Sequence, residues 1–282
     1  MIEYRNIVLE RDDNLPVLID VFSDEGTDNK SVVIFSHGYK GYKDWGAWNQ
    51  VAKEFAKAGF IFVKFNFSHN GGTIENPIDF PDLEAFGKNT YSKELNDLGF
   101  VIDEIVSNDL ISSLYADLNR IYIIGHSRGG GISLLKAAQD KRVKKLCTWA
   151  SVSDFESRFP RGEDMKKWKE KGIMYVLNGR TKQEMPHYFQ FYEDFVKNEK
   201  TLNISGNLQS INIPTLIIHG KDDKSVNFSE AEFLHENIRN SELIPIENTE
   251  HTFDVVHPWN EVKLPKAMAA VVKLTIDFLS RM

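Results

Sequence analysis

Residues 120–140 read RIYIIGHSRGGGISLLKAAQD: an apolar, β-branched run passes through a glycine-rich turn directly into a helix-like segment. A chain can reverse that sharply only where side chains are absent. Gly125 and Gly129 stand two residues before and two after Ser127, giving G-x-S-x-G over 125–129. As a bare pattern this is weak, because glycine and serine are common. A strand running into it and a helix running out of it make the setting of a nucleophile elbow, in which the serine points out of the fold. The plainer alternative is a serine that caps the following helix.

The rest of the chain repeats the same alternation. Strands are expected at 2–10, 15–22, 31–38, 60–68, 120–125, 143–151, 214–220 and 241–247. Helices are expected at 48–59, 91–107, 131–139, 229–238 and 265–282. SVVIFSHG (31–38) is apolar without alternation, as a strand covered on both faces requires. Strands alternating with helices imply an α/β protein with a mostly parallel central sheet and helices on both faces. In such sheets ligands bind at the carboxyl ends of the strands. Those ends bring forward His37 and Gly38, Ser68 to Asn70, the elbow, Ser151 to Asp154, and His219 and Gly220.

The alternation stops between 154 and 208. No strand of the core type is expected there, and a helical cap inserted into the core (1–153 and 209–282) accounts for the segment. Met185, Tyr188, Phe189, Tyr192 and Phe195 fall at helical spacing and read as one apolar stripe. An insertion this long between core strands is expected to cover a site. Tyr188, Phe189 and Tyr192 are therefore candidate substrate contacts, against the alternative that the stripe is cap–core packing throughout.

Composition narrows the function. With a net charge of −7, the chain lacks the basic footprint of a nucleic-acid binder. The start, MIEYRNIVLERDDN, has no signal-peptide pattern, and no apolar run approaches a membrane span. A soluble cytoplasmic protein with no nucleic-acid or membrane partner is expected. A single cysteine, Cys147, excludes an internal disulfide and a cysteine-rich zinc site. No histidine pair has metal-ligand spacing, and GGTIENP lacks the lysine of a phosphate-binding loop, so neither metal nor cofactor is expected.

A serine hydroxyl needs a base to become a nucleophile, and the base needs an orienting acid. Downstream of the strand PTLIIHG lies KDDKSV with Asp222 and Asp223, and downstream of SELIPIE lies NTEHTFDVV with His251. The order serine, aspartate, histidine, each just past a strand, suits an elbow serine. HGY (37–39), GHSRGG (125–130), HGKDDKSV (219–226) and EHTF (250–253) together resemble the α/β-hydrolase superfamily. The match is nearest to its serine esterase and acyl-peptidase-like branch, related to dienelactone hydrolases. The resemblance implies a Ser127–Asp223–His251 triad, with Asp223 rather than Asp222 as the acid. It also implies an oxyanion hole made by the backbone N–H groups of Tyr39 and Arg128. Trp45, after the oxyanion loop, and His69, at a strand end, are further candidate pocket residues. The activity expected is hydrolysis of a small carboxylic ester through an acyl-enzyme. A peptidase or amidase with the same triad, and a small-molecule binding protein on the same scaffold, are the alternatives.

Overall fold

The computed structural model describes residues 1–12, 14–107 and 109–281. Asp13, within the expected turn at 11–14, lies outside the described residues, as does Met282, the last residue of the helix expected at 265–282.

An eight-stranded sheet forms the core, in the order β1-β2-β4-β3-β5-β6-β9-β10. Its strands are β1 (Ile2–Leu9), β2 (Val17–Ser23), β3 (Lys30–Ser36), β4 (Ile61–Phe65), β5 (Ala116–His126), β6 (Val143–Trp149), β9 (Thr215–Gly220) and β10 (Ser241–Ile246). β1–β2 and β2–β4 are antiparallel and the remaining pairs are parallel. The apolar run of β3 shows why: Val33 and Phe35 pack under α1 (Trp48–Lys57) and α11 (Lys266–Leu279). Val32 and Ile34 pack on the other face with α3 (Tyr91–Ser107), α5 (Arg128–Gln139) and α10 (Phe228–Asn237). An interior strand such as β3 therefore needs apolar side chains on both sides, whereas the edge strands β1 and β10 are only partly covered. Two short helices, α2 (Leu83–Gly87) and α4 (Asp109–Ser113), were not anticipated from the periodicity.

Residues 154–208 leave the sheet after β6 and return before β9. They contain α6 (Gly162–Lys171), the antiparallel hairpin β7 (Ile173–Leu177) and β8 (Glu184–Tyr188), α7 (Gln190–Lys197), α8 (Glu199–Leu202) and α9 (Ile204–Asn207). The single stripe expected across Met185 to Phe195 is corrected here. Met185 and Tyr188 belong to a strand, and the helix starts only at Gln190. Pro186 is the physical cause: it lacks the N–H a helix interior needs and pushes Met185 toward extended backbone. Met185 turns in among Tyr42, Phe80 and Phe86, while Phe195 joins the main core beside Tyr91 and Phe159.

Candidate active site

The turn after β5 is as tight as its glycines suggested. A Cβ on Gly129 would lie 2.4 Å from the carbonyl oxygens of both Ser36 and His37, and one on Gly125 would lie 2.4 Å from the Gly129 oxygen. No side chain fits at either position. Between them Ser127 sits at φ 55°, ψ −121°, a region non-glycine residues occupy at a cost of about 1–3 kcal/mol. The surroundings impose it: Ser127 N–H donates to the Trp149 carbonyl at 2.9 Å, and the Ser127 carbonyl accepts from Gly130 at 2.9 Å and Val152 at 3.3 Å. The Ser127 side chain makes no capping bond, so the helix-cap alternative has no support in the geometry.

The loops after β9 and β10 meet beside it. His251 Nδ1 donates to Asp223 Oδ2 at 2.7 Å. Asp223 Oδ1 accepts from the N–H groups of Ser225 at 2.8 Å and Val226 at 2.9 Å, and His219 Nε2 approaches Oδ2 at 3.1 Å. Burial opposes ionisation of Asp223, but the bonds from His219 and His251 outweigh it and hold the carboxyl well below the usual range. Asp222 is exposed, and its N–H donates to the Thr249 carbonyl. The carboxylate that reaches His251 is thus Asp223. His126, inside the elbow, packs 4.9 Å from the His251 ring, and its Nε2 donates to the His251 carbonyl at 3.0 Å. Burial pushes its pKa down to about 3, so it is a neutral support for the loop.

The 38–41 turn lies against the serine, close enough that a Cβ on Gly38 would come 2.9 Å from Ser127 Cβ. His37 fixes that turn: Nδ1 donates to the Gly38 carbonyl at 2.9 Å and Nε2 accepts from Phe67 N–H at 3.3 Å. Further back a buried ion cluster anchors the loop to the sheet. Lys43 and Lys64 both bridge Asp20 and Asp44 at 2.5–2.9 Å. Arg128 opens α5, so its N–H has no acceptor within the helix.

Ser127 and His251 line one cavity of about 530 Å3, together with Tyr39, Lys40, Tyr91 and the Arg128 side chain. Val152, Phe155, Arg158 and Phe159 close one side, and Met174, Val176, His187 and Phe191 of the insertion form the roof. A smaller chamber of about 120 Å3, lined by Trp45, Trp48 and His126, also reaches Ser127 and His251. Trp45 therefore stands beside the site. His69 does not: it is buried, bonded through Nδ1 to Ser68 at 2.8 Å and through Nε2 to Lys93 at 3.0 Å. Tyr188, Phe189 and Tyr192 are corrected as well, since none lines the cavity. The Tyr188 hydroxyl bonds Glu84, and Phe189 and Tyr192 pack on Trp168. Of the roof positions, His187 and Phe191 are each one residue from a candidate, whereas Met174 and Val176 lie on the other strand of the hairpin and were not candidates. Among the described residues there is no histidine, cysteine or carboxylate cluster able to hold a metal, and no helix long and apolar enough to cross a membrane.

Comparison with known proteins gives three kinds of likeness. The profile of the prolyl oligopeptidase family matches residues 48–268. Monoacylglycerol lipase ABHD6 of Rattus norvegicus is 22% identical over 286 residues, covering 89% of this chain and 76% of that protein. An uncharacterized peptidase of Bacillus subtilis, YtmA, is 26% identical over 43% of this chain and 42% of its own. Est1E from Butyrivibrio proteoclasticus with ferulic acid bound superposes with a TM-score of 0.67 at 17% identity, over 98% of this chain and 100% of the other. A dienelactone hydrolase from Anabaena variabilis superposes with a TM-score of 0.63 at 17% identity, over 98% and 95%. At such identities the structural matches carry the fold alone, and that fold is the α/β-hydrolase fold.

Proposed function

Since the chain belongs to the prolyl oligopeptidase family and is a hydrolase of the α/β class, we propose that it is a serine hydrolase cleaving small carboxylic esters through an acyl-enzyme. The observation that carries this reading is the His251–Asp223 bond of 2.7 Å opening on the same cavity as a backbone-strained Ser127. In the proposed cycle, His251 takes the Ser127 proton as Oγ attacks the ester carbonyl. Asp223 holds the imidazole in the tautomer with hydrogen on Nδ1 and stabilises the imidazolium. The N–H groups of Tyr39 and Arg128 bind the developing oxyanion. The ester C–O bond breaks as His251 returns the proton to the alcohol. Water, deprotonated by the same His251, then cleaves the acyl-enzyme, releasing the acid and restoring Ser127.

Compact acyl groups, aromatic ones included, suit this cavity better than long alkyl chains. Its walls include the aromatic side chains of Tyr91, Phe155, Phe159 and Phe191, and Met174, Val176 and His187 of the insertion join them. The ferulic acid held by Est1E supports an aryl acyl group by analogy of fold. A second reading, amide or peptide hydrolysis by the same residues, has the family itself in its favour. The test is labelling by a fluorophosphonate probe, followed by turnover of matched ester and anilide substrates. Wild-type protein should be labelled and Ser127→Ala should not, with the ester cleaved faster than its anilide. Labelling that survives in Ser127→Ala would refute the nucleophile, and faster anilide cleavage would move the protein to the second reading.

A further inference from the structure

The cavity is positively charged in a chain whose net charge is negative. Lys40, Arg128 and Arg158 line it, and no aspartate or glutamate among the described residues does. Two carboxylates stand behind the guanidinium groups instead. Glu230 pairs with Arg158 and also accepts from Ser153 N–H at 2.7 Å. Glu94 meets Arg128 through one contact of 3.3 Å. Lys40 has no carboxylate partner among the described residues; its ammonium approaches the Leu177 carbonyl at 3.5 Å and lies 5.0 Å from the Tyr39 ring centre.

Arg128 is the sharper case. Its guanidinium lies 4.2 Å from the Tyr39 ring centre, 5.3 Å from that of Tyr91 and 5.5 Å from that of Phe191. Three rings thereby fix the group without using its N–H donors, since cation–π contact takes place at the ring face. Of the five N–H bonds a guanidinium carries, the described residues satisfy one, toward Glu94. The side chain is only 14% exposed, so water replaces the missing acceptors poorly. An immobilised, desolvated fork with spare donors is the arrangement that recognises a planar anion. Arg128 and Lys40 both line the cavity onto which Ser127 and His251 open.

We propose that the preferred substrates are esters that carry a free carboxylate, bound by the Arg128 guanidinium with the Lys40 ammonium beside it. This rests on the hydrolase reading above and adds the charge of the substrate to it. The roof and the aromatic walls would then hold the apolar span between the ester and the acid. Arg158, whose charge Glu230 already meets, takes no part.

The experiment compares matched esters that differ in one charge. The 4-nitrophenyl monoester of glutaric acid and 4-nitrophenyl valerate share a five-carbon acyl chain. 4-Carboxyphenyl acetate and 4-tolyl acetate place the same difference on the leaving group. For at least one pair, wild-type kcat/KM should favour the acid by tenfold or more. Arg128→Gln should erase most of that ratio, as should Arg128→Gln combined with Glu94→Gln, which avoids leaving a buried carboxylate without its cation. Lys40→Gln should reduce it less. Ser127→Ala protein should bind glutarate by calorimetry, more tightly than inorganic phosphate, and lose that binding with Arg128→Gln. Equal rates within both pairs, or ratios untouched by the substitutions, would overturn the proposal while leaving the hydrolase reading intact. Arg128-dependent glutarate binding without turnover of any ester would overturn the hydrolase reading, and the ester proposal with it, while leaving the anion site at Arg128. Tighter binding of phosphate than of glutarate would replace the carboxylate with another anion and so also overturn it.

Discussion

The cavity has a floor and a roof built on different principles. The floor comes from the sheet. Ser127 is locked by four backbone bonds, Gly125 and Gly129 leave no space for a methyl group, and Asp223 accepts from two N–H groups and His251 at 2.7–2.9 Å. The roof is the insertion, and its hairpin shares no ladder with the central sheet. Side chains attach it: the Tyr39 hydroxyl to His187 Nε2 at 2.7 Å, Gln183 to the Phe80 carbonyl at 3.1 Å, Gln190 to the Lys88 carbonyl at 2.8 Å, and Arg180 to Asp79 through their 2.5 Å ion pair. Backbone lattices hold atoms where chemistry needs them, whereas side-chain attachments can be exchanged one by one at modest cost. The floor is therefore expected to carry the rate and the roof the choice of substrate.

The largest effect should come from the floor. Asp223→Asn keeps the shape but cannot hold the His251 tautomer, and kcat should fall by about 10⁴. Asp222→Asn, one residue away and exposed, should stay within about tenfold of wild type. Steady-state kinetics on the two purified variants decides it; similar losses in both would mean the floor tolerates displacement and is not built as described.

Acid should loosen floor and roof together. Burial drives the pKa of His37 and His69 down to about 4 and that of His126 and His187 to about 3, with nearby lysine or arginine charges adding to it for His37, His69 and His187, and the neighbouring His251 for His126. In the unfolded chain these groups titrate near 6.5. Between about pH 6.5 and 4 the unfolded state therefore binds protons that the folded state refuses, and stability must drop as pH falls. Each histidine contributes a slope of about 1.4 kcal/mol per pH unit in that window. Glu94 and Asp97, pushed upward by burial, act in the opposite sense, but they are two against four. Urea midpoints measured from pH 8 to 4.5 should be flat above about 7 and decline below it. A midpoint constant down to pH 5 would contradict the buried neutral histidines.

Legibility in the sequence follows the same division. The elbow could be read because its constraint is local: glycines, a strand and a helix lie within one stretch. Asp223 and His251 could be read because each follows a strand of the sheet. The ion cluster beneath the 38–41 turn left one visible trace, Lys64 standing alone in the apolar strand FIFVKFNF, but Asp20 meets it only through pairing of β2 with β4, and Lys43 and Asp44 arrive from the loop after β3. In the insertion the helical spacing of Met185 to Phe195 was a coincidence across a strand and a helix. Pro186, and Asn178-Gly179 after the β-branched run IMYVL, were hairpin signals that the longer pattern overrode. The Arg128 side chain went unread because the elbow assigned a role to its backbone alone.

The smallest effect tests the roof, on two neighbouring residues. Phe191 and Tyr192 are consecutive in α7 and so point about 100° apart. Phe191 lines the cavity, with its ring centre 4.7 Å from that of Tyr91. Tyr192 packs away from it, against Phe159 at 5.2 Å and Phe189 at 5.7 Å. Truncating Phe191 removes a wall from bound substrate, and a hydrophobic wall discriminates by about 1–3 kcal/mol. Phe191→Ala should thus lower kcat/KM for a feruloyl ester relative to a butyrate ester by about tenfold. Tyr192→Ala should lower the melting temperature through lost packing and leave that ratio within about twofold. If the two variants shift the ratio equally, the roof acts through its overall placement and not through the side chains that face the cavity. If neither shifts it, selection lies in the floor, and the division between rate and choice fails.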